Sequence, residues 1–127
     1  MGMVKRVLCR ERLRRVPPQF SWVDQRLVRD RRIWGVSAQA LALYLLLITV
    51  ADAEGLSYYS DDSIARLVPL DGPALARARQ ELCAAQLIAY QKPLYQVLAL
   101  DEPAALAPRV SEPQLIGELL PRLEKKP

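Results

Sequence analysis

The chain has 127 residues, about half of them apolar, which is enough for one compact core with appendages. Its net charge of +4 is unevenly spread, because residues 1–34 hold ten basic and three acidic side chains whereas residues 35–127 hold eight and eleven. The absence of histidine removes the commonest general acid–base, the imidazole metal ligand and the Ser–His or Cys–His nucleophile. We therefore expect a protein that is not an enzyme, with no catalytic residue, no metal site and no cofactor.

The cysteines and the apolar segments indicate the cellular compartment in which the protein resides. Cys9 and Cys83 lie too far apart for a metal site and are too few for a disulfide framework, which indicates a reducing compartment. The charged start of the chain lacks the apolar core of a secretory signal. The longest apolar run, residues 40–51, falls short of the roughly 20 residues that a membrane-spanning helix needs. We expect a cytoplasmic protein without a membrane partner, and no small-molecule ligand is evident.

Residues 1–19 are predicted to be a flexible basic arm, since Pro17 and Pro18 prevent a helix from continuing through them. Concentrated positive charge is typical of segments that bind a polyanion, and the candidates are nucleic acid and an anionic membrane surface. A solubilising leader is the alternative. If the arm binds DNA, its candidate contacts are Arg10, Arg12, Arg14 and Arg15.

Two segments that follow the arm are rich in apolar residues. Residues 20–34 are too apolar for a linker and are expected to pack on the domain, with Asp24 capping a short helix that runs to about Arg31. Ser37 is the predicted N-cap of a helix that is apolar nearly all round, and Gly55 is its predicted terminator. We expect this to be the most buried helix, covered by the rest of the domain and by a second subunit in a homodimer.

The middle of the chain predicts a strand over residues 56–59 and two further helices. Ser60 caps the first of these, over residues 61–67, and Asp71 caps the next, over about residues 72–85. Two apolar-aromatic runs, residues 87–90 and 94–98, then form a tight β-hairpin.

Residues 101–113 contain three prolines and form a predicted linker. Ser111 is expected to cap a short amphipathic helix after it, which either docks back on the domain or joins a partner. The helix carries an apolar stripe, hereafter the leucine stripe: Leu115, Ile116, Leu119, Leu120 and Leu123.

The string LSYYSDDSIARLVPLDGPALARARQELCAAQLIAY resembles the winged helix-turn-helix superfamily. The preceding FSWVDQRLVRD and VSAQALALYLLL are similar to N-terminal domains of plasmid replication initiators and primosomal proteins. The resemblance covers about residues 20–100 and implies a mainly α domain with a small β-hairpin, in the α+β class. It implies a recognition helix at residues 72–85 in the major groove of double-stranded DNA, with the hairpin as the wing. The implied role is accessory or regulatory, in transcription or in replication of a plasmid or mobile element.

Helical spacing places Leu75, Ala78 and Leu82 on one arc of the predicted recognition helix. Arg77, Gln80 and Glu81 fall on the opposite side. An exposed arginine can bind a guanine edge and a glutamine an adenine edge, so this pair is suited to reading bases. An ordinary solvated face is the alternative.

Two other positions in the domain have open alternatives. Lys92, at the hairpin tip, is the natural phosphate contact of the wing, although a lone lysine on a turn is more often simply exposed. Arg79 lies beside the core arc and is expected to extend outward or to pair with Asp61 or Asp62.

The second functional hypothesis is a winged-helix protein-interaction module that does not bind DNA. The acidic start of the helix at residues 61–67 and the leucine stripe are both suited to a protein partner. The predicted strands contain four tyrosines that could stack on the bases of a single strand: Tyr58, Tyr59, Tyr90 and Tyr95. Packing in the core is the commoner role of such residues.

Overall fold

The computed structural model describes residues 3–100, which form an α+β fold with four helices and a three-stranded antiparallel sheet. The α+β class predicted from the sequence is confirmed. In chain order the elements are α1 (Arg26–Arg29), α2 (Ala38–Val50), β1 (Leu56–Tyr58), α3 (Asp61–Leu67), α4 (Gly72–Ala84), β2 (Ile88–Gln91) and β3 (Leu94–Val97). The predicted linker and the leucine stripe lie outside the described residues. No helix within residues 3–100 has the length and apolar character needed to cross a membrane.

The three N-caps predicted for α2, α3 and α4 are confirmed. Ser37, Ser60 and Asp71 each have extended backbone, and each side chain accepts a hydrogen bond from the backbone N–H three residues further along. The donor-to-acceptor distances are 3.1, 3.1 and 2.9 Å. These bonds satisfy N–H groups that have no partner inside their own helix, which is why the helices begin where the sequence predicts.

The end of α2 differs from the prediction, because Gly55 lies in the following loop and the helix stops at Val50. The Asp52 carboxylate accepts two backbone N–H groups of that loop, at 2.8 and 2.9 Å, and so offers the chain a turn in place of another helical turn. Gly55 does have left-handed backbone, with φ at +89°. A Cβ there would lie 2.5 Å from the carbonyl oxygen of Val97, so the residue is needed for close approach to β3.

The sheet has the order β1-β3-β2, with both pairs antiparallel. Strands β2 and β3 form the predicted hairpin, and Lys92 and Pro93 lie at its tip. Strand β1 pairs with the other edge of β3, where Ser57 is opposite Tyr95. Only the two hairpin strands were predicted to pair. The pairing of β1 with β3 was not predicted.

The core lies between α2, α4 and the sheet. Its fully buried large side chains come from these elements, from α3 and from the residue before β2: Leu43, Leu47, Ile64, Leu75, Leu82, Leu87 and Tyr95. Helix α2 is less enclosed than its composition predicts, because Leu45 points away from this core and is 61% exposed. The domain therefore covers one side of α2 and leaves an apolar side chain on the other.

Residues 20–34 pack on the domain only in part, contrary to the prediction. Helix α1 is shorter than expected and buries a single side chain, Leu27. The Ser21 hydroxyl donates to the Thr49 carbonyl at 3.0 Å, which holds the segment beside the end of α2. Five apolar side chains nevertheless remain more than half exposed, because a four-residue helix has room for one inward position: Phe20, Trp22, Val23, Val28 and Trp34.

Candidate nucleic-acid interface

Helix α4 presents Arg77 and Gln80 to solvent, on the side opposite its core face. The core face includes Leu75, Ala78 and Leu82, as the helical spacing predicts, and also Ala74. The side chains of Arg77 and Gln80 make no hydrogen bond or ion pair with any other residue in the described part of the chain. Both side chains are therefore available to a partner.

Glu81 shares the predicted outward arc with Arg77 but is turned toward the domain. Its carboxylate accepts the backbone N–H of Ser37 at 2.8 Å and the Ser37 hydroxyl at 3.0 Å. The negative charge thus lies at the N-terminus of α2, where the helix dipole favours it. This contact leaves Arg77 as the charged side chain on the outward face of α4.

Arg79 pairs with Asp61 on α3, which is one of the two alternatives that the sequence left open. Its Nη2 atom lies 2.9 Å from a carboxylate oxygen of Asp61, and Nη1 lies 3.3 Å from the same oxygen. The guanidinium carbon is 4.5 Å from the ring centroid of Tyr90, and the side chain is 12% exposed. One arginine therefore joins α4 to the start of α3 and to strand β2.

The strand tyrosines mainly pack in the domain. Tyr95 is fully buried, and its ring centroid lies 4.5 Å from that of Tyr90. Burial raises the pKa of the Tyr95 hydroxyl above its ordinary value, so this group stays neutral. Tyr58 is the exception, at 71% exposed. Of the four tyrosines, it is the one most open to stacking with a base.

Lys92 is exposed at the hairpin tip, as predicted. It lines a cleft of about 220 Å³ together with Asp61 and Asp62, so two carboxylates share its surroundings. No ion pair joins Lys92 to either carboxylate within residues 3–100, and Asp61 is paired with Arg79. The hairpin tip thus carries one unpaired cation beside two acidic side chains.

The arginines of the arm are all exposed, as is every residue from 3 to 23. Arg10 and Arg12 bound a short 3-10 turn, and Arg14 and Arg15 follow it without regular secondary structure. Within residues 3–100, the four side chains make no hydrogen bond or ion pair. The structure thus leaves their charge open to an external anion.

Arg66 is a further exposed basic residue, to which the sequence analysis assigned no role. It lies in the last turn of α3, two residues after the buried Ile64. That spacing corresponds to about 200° around a helix and places Arg66 on the outer side of α3. The same helical arithmetic that singled out Arg77 on α4 would have found it.

The described residues contain no group of three or more Cys, Asp or Glu side chains arranged to hold a metal ion. Comparison with protein-family models, with curated proteins and with solved structures finds no match to this chain. Its function is therefore inferred from the arrangement of its own side chains.

Proposed function

We propose that this protein binds double-stranded DNA as a winged helix-turn-helix protein, with α4 as the recognition helix and the β2-β3 hairpin as the wing. The observation that carries the proposal is the outward face of α4. Arg77 and Gln80 are exposed there without intramolecular partners, whereas Arg79 and Glu81 are held by Asp61 and Ser37.

In this proposal Arg77 and Gln80 read base edges, because a guanidinium and a carboxamide can each form two hydrogen bonds to one base. The arm residues Arg10, Arg12, Arg14 and Arg15 bind phosphates and supply most of the affinity for random sequence. Lys92 adds a weaker phosphate contact, since Asp61 and Asp62 lie beside it. Base reading and phosphate binding are thus divided between the folded domain and the arm.

The proposed role is accessory or regulatory, in transcription or in replication of a plasmid or mobile element, in line with the family resemblance. The proposal includes no catalytic residue and no cofactor. A homodimer is part of it, because Leu45 on α2 is an exposed apolar side chain on a helix without charged residues. Two-fold dimers are common among DNA-binding proteins of this kind.

The test is the replacement of Arg77 by alanine, measured on a duplex selected from a random pool and on unselected duplex. We expect a loss of about 1 to 3 kcal/mol on the selected duplex and a smaller loss on the unselected one. Arg29→Ala is the matched control, because it removes an exposed arginine that lies on α1, beside Asp30. Equal losses on both duplexes would assign Arg77 to phosphate contact, and an absence of binding to either would refute the proposal.

A protein-interaction module is the second candidate function. It is favoured by the exposed aromatic side chains Trp22 and Trp34, which are 75% and 77% exposed. Binding to a protein through these residues would be insensitive to Arg77→Ala. The same variant therefore separates the two functions once a partner is known.

A further inference from the structure

A groove of about 470 Å³ runs beside the C-terminal end of α2. One wall is the segment before α1, with Phe20 and Trp22, and the other is the end of β3, continuing to Leu100. Tyr44 and Ile48 of α2 lie between the walls. Phe20 is 66% and Trp22 is 75% exposed, so the groove has an apolar lining that the described residues leave open.

We propose that this groove binds the leucine stripe of the same chain, residues 115–123. The first argument is position. Leu100 is both a lining residue of the groove and the last described residue, so the chain continues toward residue 115 from the groove itself. A segment tethered there competes for the groove at an effective concentration of about millimolar, which favours it over a second molecule.

The second argument is reach. Residues 101–114 separate Leu100 from the stripe, and a flexible chain of that length spans on average about 20 Å. A domain of about 100 residues has a radius of gyration of about 13 Å. Residues 101–114 are therefore enough chain for the stripe to reach back along the groove. They are also few enough to keep the stripe near the groove.

The third argument is chemical complementarity. The stripe offers five branched apolar side chains to a groove lined by Phe20, Trp22 and Ile48. The groove is also lined by the acidic residues Asp24, Asp52 and Glu54. In and just after the stripe, three basic residues outnumber two acidic ones: Arg122, Lys125 and Lys126 against Glu118 and Glu124. Apolar residues and opposite charges therefore match in the same segment.

Trp22 reports directly on the occupant, because it lines the groove while Trp34 does not. In the full chain carrying Trp34→Phe, we expect Trp22 to emit at shorter wavelength and to resist quenching by acrylamide. Adding Leu119→Asp with Leu120→Asp should shift the emission to longer wavelength and increase quenching. The matched control, Gln114→Asp with Gly117→Asp, adds the same charge without removing an apolar residue, so it should protect Trp22 more than the Leu119→Asp, Leu120→Asp chain does.

Phe20→Asp is a second variant, made on the groove side at an exposed position. It should expose Trp22 to acrylamide even though the stripe is intact, and circular dichroism checks that each variant is folded. Equal quenching of the parent and of the Leu119→Asp, Leu120→Asp chain would overturn the proposal. If the protection of Trp22 increases with protein concentration and sedimentation shows a dimer, the groove binds a second copy of the chain. That result would overturn the proposal.

Discussion

The carboxylate of Glu81 in α4 accepts both the backbone N–H and the hydroxyl of Ser37, the N-cap of α2. Ser37 in turn accepts the Ala40 N–H, so a capping arrangement that usually lies within one helix is here completed by a second helix, 44 residues away. It fixes the last turn of α4 against the start of α2.

Removal of this contact should destabilise the domain. We expect Glu81→Ala to lower the free energy of unfolding by about 1 kcal/mol, because the Ser37 N–H loses its acceptor. Denaturant unfolding measures the change. Glu54→Ala, which removes an exposed carboxylate in a loop, is the control and should have little effect. The same small loss in both variants would mean that the Glu81 contact contributes nothing in solution.

Leu47 and Leu45 provide a matched pair on α2, because the first is fully buried and the second is 61% exposed. Leu47→Ala should cost about 2 to 5 kcal/mol, through lost burial and the cavity left behind. Leu45→Ala should stay within about 0.5 kcal/mol at concentrations where the protein is monomeric. Urea unfolding of both variants checks this. A comparable loss for Leu45→Ala in the monomer would contradict the exposed position of this side chain on the outer side of α2.

Asp24 makes part of the stability dependent on pH. A hydrogen bond from the Arg26 side chain, at 2.8 Å, and another from the Arg26 backbone lower the pKa of the Asp24 carboxyl from 3.8 to about 2. The charged form is therefore favoured by folding, and its contribution is complete above pH 3.8 and is lost as the pH falls toward 2.

The measurement compares the melting temperatures of the wild type and of Asp24→Asn as the pH is lowered. Asparagine does not titrate, so the wild type should be the more stable at neutral pH, and the difference should shrink as Asp24 is protonated. A difference that stays constant through this range would show that the contact with Arg26 does not lower the pKa of Asp24 in solution.

Local chemistry made much of the fold predictable. Ser37, Ser60 and Asp71 mark the helix starts because an N-cap needs only a short polar side chain followed by residues able to form a helix. The inward arc of α4 followed from helical spacing, and so did the outward position of Arg77 and Gln80. The pairing of Arg79 was predicted only in part. Asp61 and Asp62 both lie at the start of α3, and the sequence left the choice between them open.

Other features depended on contacts between distant residues. The turn at Asp52 and the close approach of Gly55 to Val97 require β3 to lie against the loop, which no local pattern reveals. Glu81 lies on the outward arc by spacing alone, but its carboxylate reaches across to Ser37. Hydropathy predicted a buried segment over residues 20–34, whereas only Leu27 of its large side chains is buried.

The central proposal concerns DNA, and the arm provides its sharpest test. Arg10, Arg12, Arg14 and Arg15 are exposed, so replacing all four by alanine in the full chain should leave the melting temperature unchanged. Each phosphate neutralised on duplex DNA contributes about 0.9 to the slope of log affinity against log salt concentration. Four arginines that bind phosphates therefore account for a slope of about 3 to 4.

The decisive measurement is the affinity of the wild type and of this fourfold variant for random duplex DNA over a series of salt concentrations. We predict that the wild type binds, that its affinity falls linearly on logarithmic axes, and that the variant loses about 3 to 4 of the slope. A folded variant with the same slope as the wild type, or a wild type that does not bind duplex at low salt, would contradict the proposal.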